Sequence, residues 1–304
     1  MRQFAALAAL ATTGAVLGAD RMSATEKGSL LIYSGAEGTI HISNDYPADV
    51  RLQSYIVNDA CEYYDMAFSL TANQITAFST DDLAAPFGMS GAVSMYVWAV
   101  NAENAQIRWN HLSGGVIGSG AYASAAAMQG NNGDAVGQPG VLNMDGVEYS
   151  SAFNGATYNF VADADMLTIE LLDHDFADKN AADPNTKIVA EIWNENEVKF
   201  SGTSRCVSCI ESSSLADWSD SAVNFFRSSS LGTALGKARL STEANASCGS
   251  TDNPSSERAF FASSGGSGSV AGTGSRTATI TYELESEPEE AGKRVRKAFG
   301  LLRK

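Results

Sequence analysis

Apolar and polar residues alternate along most of this chain with the period of two that extended strands impose. The runs Ser29–Tyr33, Gly38–Ser43, Val50–Val57, Met66–Thr71, Gln74–Phe78 and Gln106–Trp109 read this way in the first part of the sequence. Gly146–Tyr149, Thr157–Val161, Met166–Leu172, Lys187–Trp193, Val198–Gly202, Lys237–Ser241, Arg258–Ala262 and Arg276–Glu285 follow. Ala92–Val100 is the most apolar of all, which makes it a good candidate for the core. Between the runs lie Asn44-Asp45, Asn131-Asn132-Gly133-Asp134, Asn154-Gly155 and Asp183-Pro184-Asn185. These residues favour turns because they tolerate positive φ or bond to their own backbone. Many short strands with frequent turns predict an all-β, antiparallel β-sandwich or jelly-roll-like body with long Gly/Ser/Asn-rich loops. Gly114–Gly140, the acidic Asp173–Asn185 and the Gly/Ser-rich Ser263–Ser275 are expected to be those loops. Leu215–Phe226 is the best candidate for a short helix.

The first 19 residues follow a different pattern. Arg2 precedes an uncharged apolar or small-residue stretch from Phe4 to Gly18, and Ala19 offers a small residue before Asp20. This is the three-part arrangement of a secretory leader, with cleavage expected after Ala19. The stretch is short of the roughly 20 apolar residues that span a bilayer. Residues 20–288 are then the β-sandwich domain and 289–304 a basic C-terminal tail, with no transmembrane span expected in the mature chain.

Charge sharpens that division. The chain of 304 residues carries 20 Lys and Arg against 35 Asp and Glu, a formal net charge of -15. A chain this acidic repels nucleic acid at long range. The tail carries six basic and two acidic side chains, and its active reading is docking on an anionic surface. The plainer reading is a frayed end, or one folded onto its own acidic body. A glycan or a protein at the cell surface is the expected kind of partner.

Four cysteines, Cys61, Cys206, Cys209 and Cys248, remain after leader removal. An even number in an exported chain predicts disulfides. The close spacing of Cys206 and Cys209 favours a local bridge there, which leaves Cys61 to pair with Cys248. A redox Cys-x-x-Cys would need a helix N-terminus to lower the thiol pKa, and the surrounding pattern is not βαβ. Only one such pair is present, which argues against a four-cysteine zinc site.

Several stretches resemble a group of uncharacterised bacterial secreted β-rich proteins. They are Lys27–Tyr33, Asn44–Val50, Trp98–Asn101, Ile107–Leu112, Gly140–Tyr149 and Glu191–Thr203, followed by Arg205-Cys206 and Cys209. The resemblance implies export and a β-rich body, and it carries no activity, ligand or catalytic residue.

Candidate chemistry is sparse. In a continuous strand Glu191, Trp193, Glu195 and Glu197 would share one face, two or more carboxylates beside an aromatic platform, as glycoside hydrolysis requires. The spacing is not the ExDxxE of jelly-roll glycosidases, and such a strand would put Asn194 and Asn196 on the face of Ile192 and Val198. Breaking the strand into a turn at Asn194–Glu197 is the simpler account. Asp173, Asp175, Asp178 and Asp183 could supply hard oxygens to calcium, but the run lacks the Gly and terminal Glu of a D-x-D-x-D-G loop. A calcium-stabilised adhesin-like module is therefore an alternative reading. His41, His111 and His174 are far apart, with no H-E-x-x-H, G-x-S-x-G, phosphate loop or dinucleotide fingerprint in the chain. Trp98, Trp109, Trp193, Tyr55, Tyr63, Tyr64 and Tyr96 could line a sugar-binding face, although aromatic residues of a sandwich mostly fill its core. The expectation from sequence is an exported, non-catalytic β-sandwich acting by binding or assembly. A secreted glycan-type hydrolase is the rival.

Overall fold

The computed structural model describes residues 27–144, 147–149, 155–179, 184–243, 248, 259–266, 276–277 and 281–283. The leader, the basic tail and Asp183 lie outside the described residues. The body is an all-β sandwich whose antiparallel sheets curl into a half-barrel.

The first sheet is built from β1 (Leu30–Asn44), β2 (Val50–Val57), β3 (Tyr63–Leu70), β4 (Ile75–Ser79), β5 (Val93–Val100) and β6 (Leu112–Ala125). Its order is β3-β2-β5-β1-β4, with β6 along the other side of β1. Ser29–Tyr33 and Gly38–Ser43, expected as separate strands, are one 15-residue strand. Its register shifts between Ser34 and Glu37, so β5 pairs with the first half and β4 with the second. Leu112 pairs with Asn44 and also forms a bridge to Gly28, which brings both ends of β1 to one residue and curls the sheet.

The second assembly has two sheets. One runs in the order β10-β9-β12-β7-β15, from β7 (Gly155–Val161), β9 (Asn185–Asn194), β10 (Lys199–Ser208), β12 (Leu235–Glu243) and β15 (Thr281–Glu283). The other runs β11-β8-β13-β14, from β8 (Asp165–Leu171), β11 (Ile210–Ser214), β13 (Phe260–Gly266) and β14 (Arg276–Thr277).

Three apolar cores follow from the alternation. On β5 every residue is buried. Val93, Met95, Val97 and Ala99 point into the curled sheet, while Tyr96, Trp98 and Val100 point toward the second assembly. Leu172, Phe176, Ala259 and Phe261 meet them from the other side. The third core lies between the paired sheets of the second assembly, where Leu167, Ile169 and Leu171 of β8 face Ile188, Ala190 and Ile192 of β9.

Several sequence expectations are corrected. Gly114–Gly140 is not a loop throughout, because its first part is β6. The glycines there make room. A Cβ on Gly114 would lie 2.0 Å from the Tyr33 hydroxyl and 2.6 Å from the His41 carbonyl oxygen, and one on Gly118 would lie 2.0 Å from the Glu37 carbonyl oxygen. Leu215–Phe226 is not a helix: a 3-10 turn at Leu215–Asp217 is followed by irregular chain, and the α-helical turn comes later, at Ser228–Leu231. Ser219 and Ser221 hydroxyls both reach the Val223 carbonyl there, an arrangement that competes with helix formation. Ser263–Gly266 belongs to β13 rather than to a loop. Gln106 and Ile107 make isolated bridges instead of a strand. Within Arg276–Glu285, β14 and β15 join different sheets.

The disulfide pairing also differs from expectation. Cys61 is bonded to Cys209, with Cα atoms 6.0 Å apart, and Cys206 to Cys248, with Cα atoms 5.6 Å apart. The reason is the direction of the chain. Cys206 lies on β10 with its side chain exposed, whereas Cys209 takes a positive φ of 54° and turns inward beside Leu172 and Phe176. Cys61–Cys209 thereby links the loop after β2 to the junction of β10 and β11, tying the two assemblies together.

Candidate functional sites

The sequence-predicted carboxylates do not converge. The strand does break at Asn194: its side-chain oxygen accepts from the Asn196 and Val198 backbone N–H groups, each at 3.0 Å, and its amide donates to the Leu231 carbonyl at 3.1 Å. Glu195 and Glu197 stand exposed on this turn, and Glu197 holds a φ of 61°. Glu191 stays on β9, ion-paired with Lys199 at 2.5 Å.

The acidic run is equally dispersed. Asp173 accepts from the Ala259 N–H at 3.0 Å and the Met144 N–H at 3.4 Å. Asp175 accepts from the Ala177 and Asp178 N–H groups in a local turn. Among the described residues no group of three or more His, Cys, Asp or Glu side chains is placed to hold a metal ion.

The aromatic residues separate by depth. Trp98 and Trp109 are buried, and Tyr96 is fully enclosed. Tyr55 stacks between Trp98 and Phe176, with ring centroids 5.1 and 4.3 Å away, and Tyr63 meets Phe176 edge-on. Tyr64 donates to the Leu83 carbonyl at 2.8 Å. These rings weld the core. Trp193 is the exception. It lies on the outer face of the five-stranded sheet with Lys199 5.3 Å from its ring centre.

One constellation has no sequence signature. Glu170, on β8, is fully buried against the first sheet. Ser94 donates to its Oε2 at 2.7 Å and Tyr96 to its Oε1 at 2.5 Å, with the Ser34 hydroxyl as a third donor. His174 Nε2 lies 3.2 Å from the Tyr96 oxygen. Since that hydroxyl's proton goes to Glu170, the imidazole N–H is the donor in this contact. Burial pushes the Glu170 carboxyl above its ordinary value, and the three hydroxyls hold it back down. Tyr96 is driven well up by burial and by the adjacent carboxylate. The residues come from β1, β5, β8 and the segment after β8, so only the tertiary fold brings them together. A carboxyl, three hydroxyls and an imidazole are the ingredients of acid–base chemistry. Here they are enclosed, and each hydroxyl donates to the carboxylate.

The outer face of the five-stranded sheet carries Trp193 among charged and polar side chains in a regular register. Ile188, Ala190 and Ile192 of β9 point into the core, so Lys187, Val189, Glu191 and Trp193 point out. On β12, Ala238 and Leu240 point in, and Lys237, Arg239, Ser241 and Glu243 point out. The register places Lys199 and Lys237 on either side of Trp193, Arg239 beside Glu191, and Asn159 and Thr157 of β7 beside Lys237 and Arg239. Lys187 pairs with Glu243 at 3.1 Å.

No protein-family model, curated protein or solved structure matches the chain. Among the described residues no helix is long and apolar enough to cross a membrane.

Proposed function

We propose that this chain is an exported, non-catalytic β-sandwich protein that works by binding or assembly at the cell surface or outside the cell, after removal of the leader near Ala19. The enclosure of Glu170 with Ser34, Ser94, Tyr96 and His174 carries the reading. This meeting of acid–base side chains fastens two sheets, and a reaction needs a substrate within hydrogen-bond reach of such groups. The glutamates suggested for glycan hydrolysis sit on an exposed turn or in an ion pair with Lys199, not as two carboxyl groups facing each other across a scissile bond. Two disulfides fit a compartment that is oxidising.

The test is a turnover panel on the purified chain with polysaccharide, ester and peptide substrates. No turnover above background is expected. Turnover that a single substitution such as Glu191→Gln, Glu195→Gln or Glu170→Gln abolishes would overturn the proposal.

A further inference from the structure

We propose that the outer face of the five-stranded sheet docks an anionic polysaccharide, a chain of uronate type with carboxylates along its length. This rests on reading the chain as a binding protein and adds the place and the ligand chemistry.

Charge is the first observation. Four of the ten basic residues between Lys27 and Arg239 — Lys187, Lys199, Lys237 and Arg239 — lie on this one face, against Glu191 and Glu243. The face is thus locally positive on a chain of net charge -15. Such a patch focuses an anionic ligand on this face of the β-sandwich body.

Geometry is the second. Lys199, Trp193 and Lys237 occupy neighbouring positions on three adjacent strands. At the usual strand spacing of about 4.8 Å they cover roughly 10 Å across the sheet. Lys187 to Trp193 adds roughly 20 Å along β9. An aromatic ring between two ammonium groups suits a pyranose, whose C–H face packs on the indole while a carboxylate at its rim meets a lysine. Lys199 already lies over the ring and is held by Glu191, so an incoming carboxylate competes for a cation that is in place. Thr157, Asn159 and Ser241 add hydroxyl and amide groups along the same face, suited to sugar hydroxyls. Val189 and Trp193 on β9 and Leu235 at the start of β12 are the apolar residues that point out on these two strands, few against the polar and charged ones around them for the desolvated centre of a stable protein interface.

The experiment titrates the full mature chain with polygalacturonate, neutral dextran and a single-stranded oligonucleotide, reading tryptophan fluorescence. Trp98, Trp109 and Trp218 are buried, at 1%, 7% and 1% exposure, so a ligand-dependent change in acrylamide quenching reports Trp193. Protection of the fluorescence by polygalacturonate alone is expected, weakening as salt is raised. Trp193→Ala, which lacks the reporter and is therefore titrated by calorimetry beside the natural chain, and separately Lys237→Glu with Arg239→Glu, should each weaken binding at least tenfold while the circular-dichroism spectrum stays unchanged. Polygalacturonate binding that survives these variants, or a response to dextran or the oligonucleotide instead, overturns the proposal while leaving a binding role intact. No response to any of the three overturns this ligand assignment, whereas the broader reading falls only to the turnover panel.

Discussion

The Tyr96 hydroxyl donates to Glu170 Oε1 at 2.5 Å, joining β5 of the curled sheet to β8 of the second assembly through a contact between residues 74 positions apart. A carboxylate placed there is costly unless its oxygens are satisfied, because burial disfavours the charged form. Tyr96→Phe removes one of its three donors. The expected loss is about 1–3 kcal/mol, the usual cost of leaving a buried polar group short of a partner. Urea denaturation of the two proteins measures it, and equal midpoints would show that the contact contributes nothing.

The same carboxylate gives stability a pH dependence whose sign is fixed. Burial raises Glu170 above its ordinary 4.5, so the folded chain keeps a proton there over a range in which the unfolded chain has lost it. Its contribution is complete below about pH 4.5 and is lost as pH rises through the raised value. His174 and Tyr96 face the same group and Asp173 lies close, so the comparison must isolate Glu170. Glu170→Gln should flatten the pH profile of the unfolding midpoint relative to the natural chain in this acidic to neutral window. Parallel profiles would place the dependence elsewhere.

The disulfide arrangement makes a direct prediction about peptides. Under non-reducing digestion, a fragment containing Cys61 should be covalently joined to one containing Cys209, and Cys206 to Cys248. Cys61–Cys209 closes a separation of 148 residues and Cys206–Cys248 one of 42. In the chain-entropy picture each contributes about 2–5 kcal/mol, with the longer loop ahead by about 1 kcal/mol. Cys61→Ser with Cys209→Ser should therefore lower the unfolding midpoint more than Cys206→Ser with Cys248→Ser. A Cys206–Cys209 peptide in the digest would sink the pairing.

What was legible in the sequence was local. Period-two alternation marks β9 and β12 because each buries one whole face, the near-continuous apolar run marks β5 because it buries both, and no tertiary detail alters these patterns. The turn at Asn194–Glu197 was legible because the asparagine side chain supplies its own backbone bonds. The pairing of Cys61 with Cys209 was not, since proximity along the chain says nothing about which side of β10 a cysteine faces. The Glu170 cluster was hidden for the same reason: Ser34, Ser94 and Glu170 sit in unrelated segments and look like ordinary strand residues. Strand β6 reads as a loop in the sequence because its glycines are also turn formers, and glycine signals a turn only where backbone freedom is its purpose.

At Gly114 the purpose is space. The Tyr33 hydroxyl crosses this position to donate to the His41 carbonyl at 2.8 Å. Gly114→Ala puts a methyl group 2.0 Å from that hydroxyl and 2.6 Å from the carbonyl. The strands must part, at about 1–3 kcal/mol, the usual penalty for overpacking a well-filled site. Gly133, whose φ is 91°, has nothing within 4 Å of the added atom. Alanine there meets only backbone strain, about 1–2 kcal/mol. The two variants should be told apart by Tyr33→Phe, which relieves part of the Gly114→Ala loss and leaves Gly133→Ala unchanged. Failure of that partial rescue would mean the hydroxyl is not what Gly114 accommodates.

Glu197 poses the opposite case, a charged residue where glycine fits better. It sits at φ 61° after the two residues that turn β9 into β10, exposed and without a resolved hydrogen bond from its side chain. A left-handed conformation costs an L-residue with a Cβ about 1–2 kcal/mol, and glycine recovers most of this while losing some to its freer unfolded chain. Glu197→Gly should accordingly raise stability by about 0.5–1 kcal/mol. If the glutamate is retained for chemistry instead, as the hydrolase reading requires, the same substitution would stabilise the fold and abolish turnover together. Measuring stability and turnover on one variant separates the alternatives: a more stable chain whose turnover is no different from that of the natural chain identifies Glu197 as a turn residue, whereas lost turnover would restore it as a catalytic carboxylate.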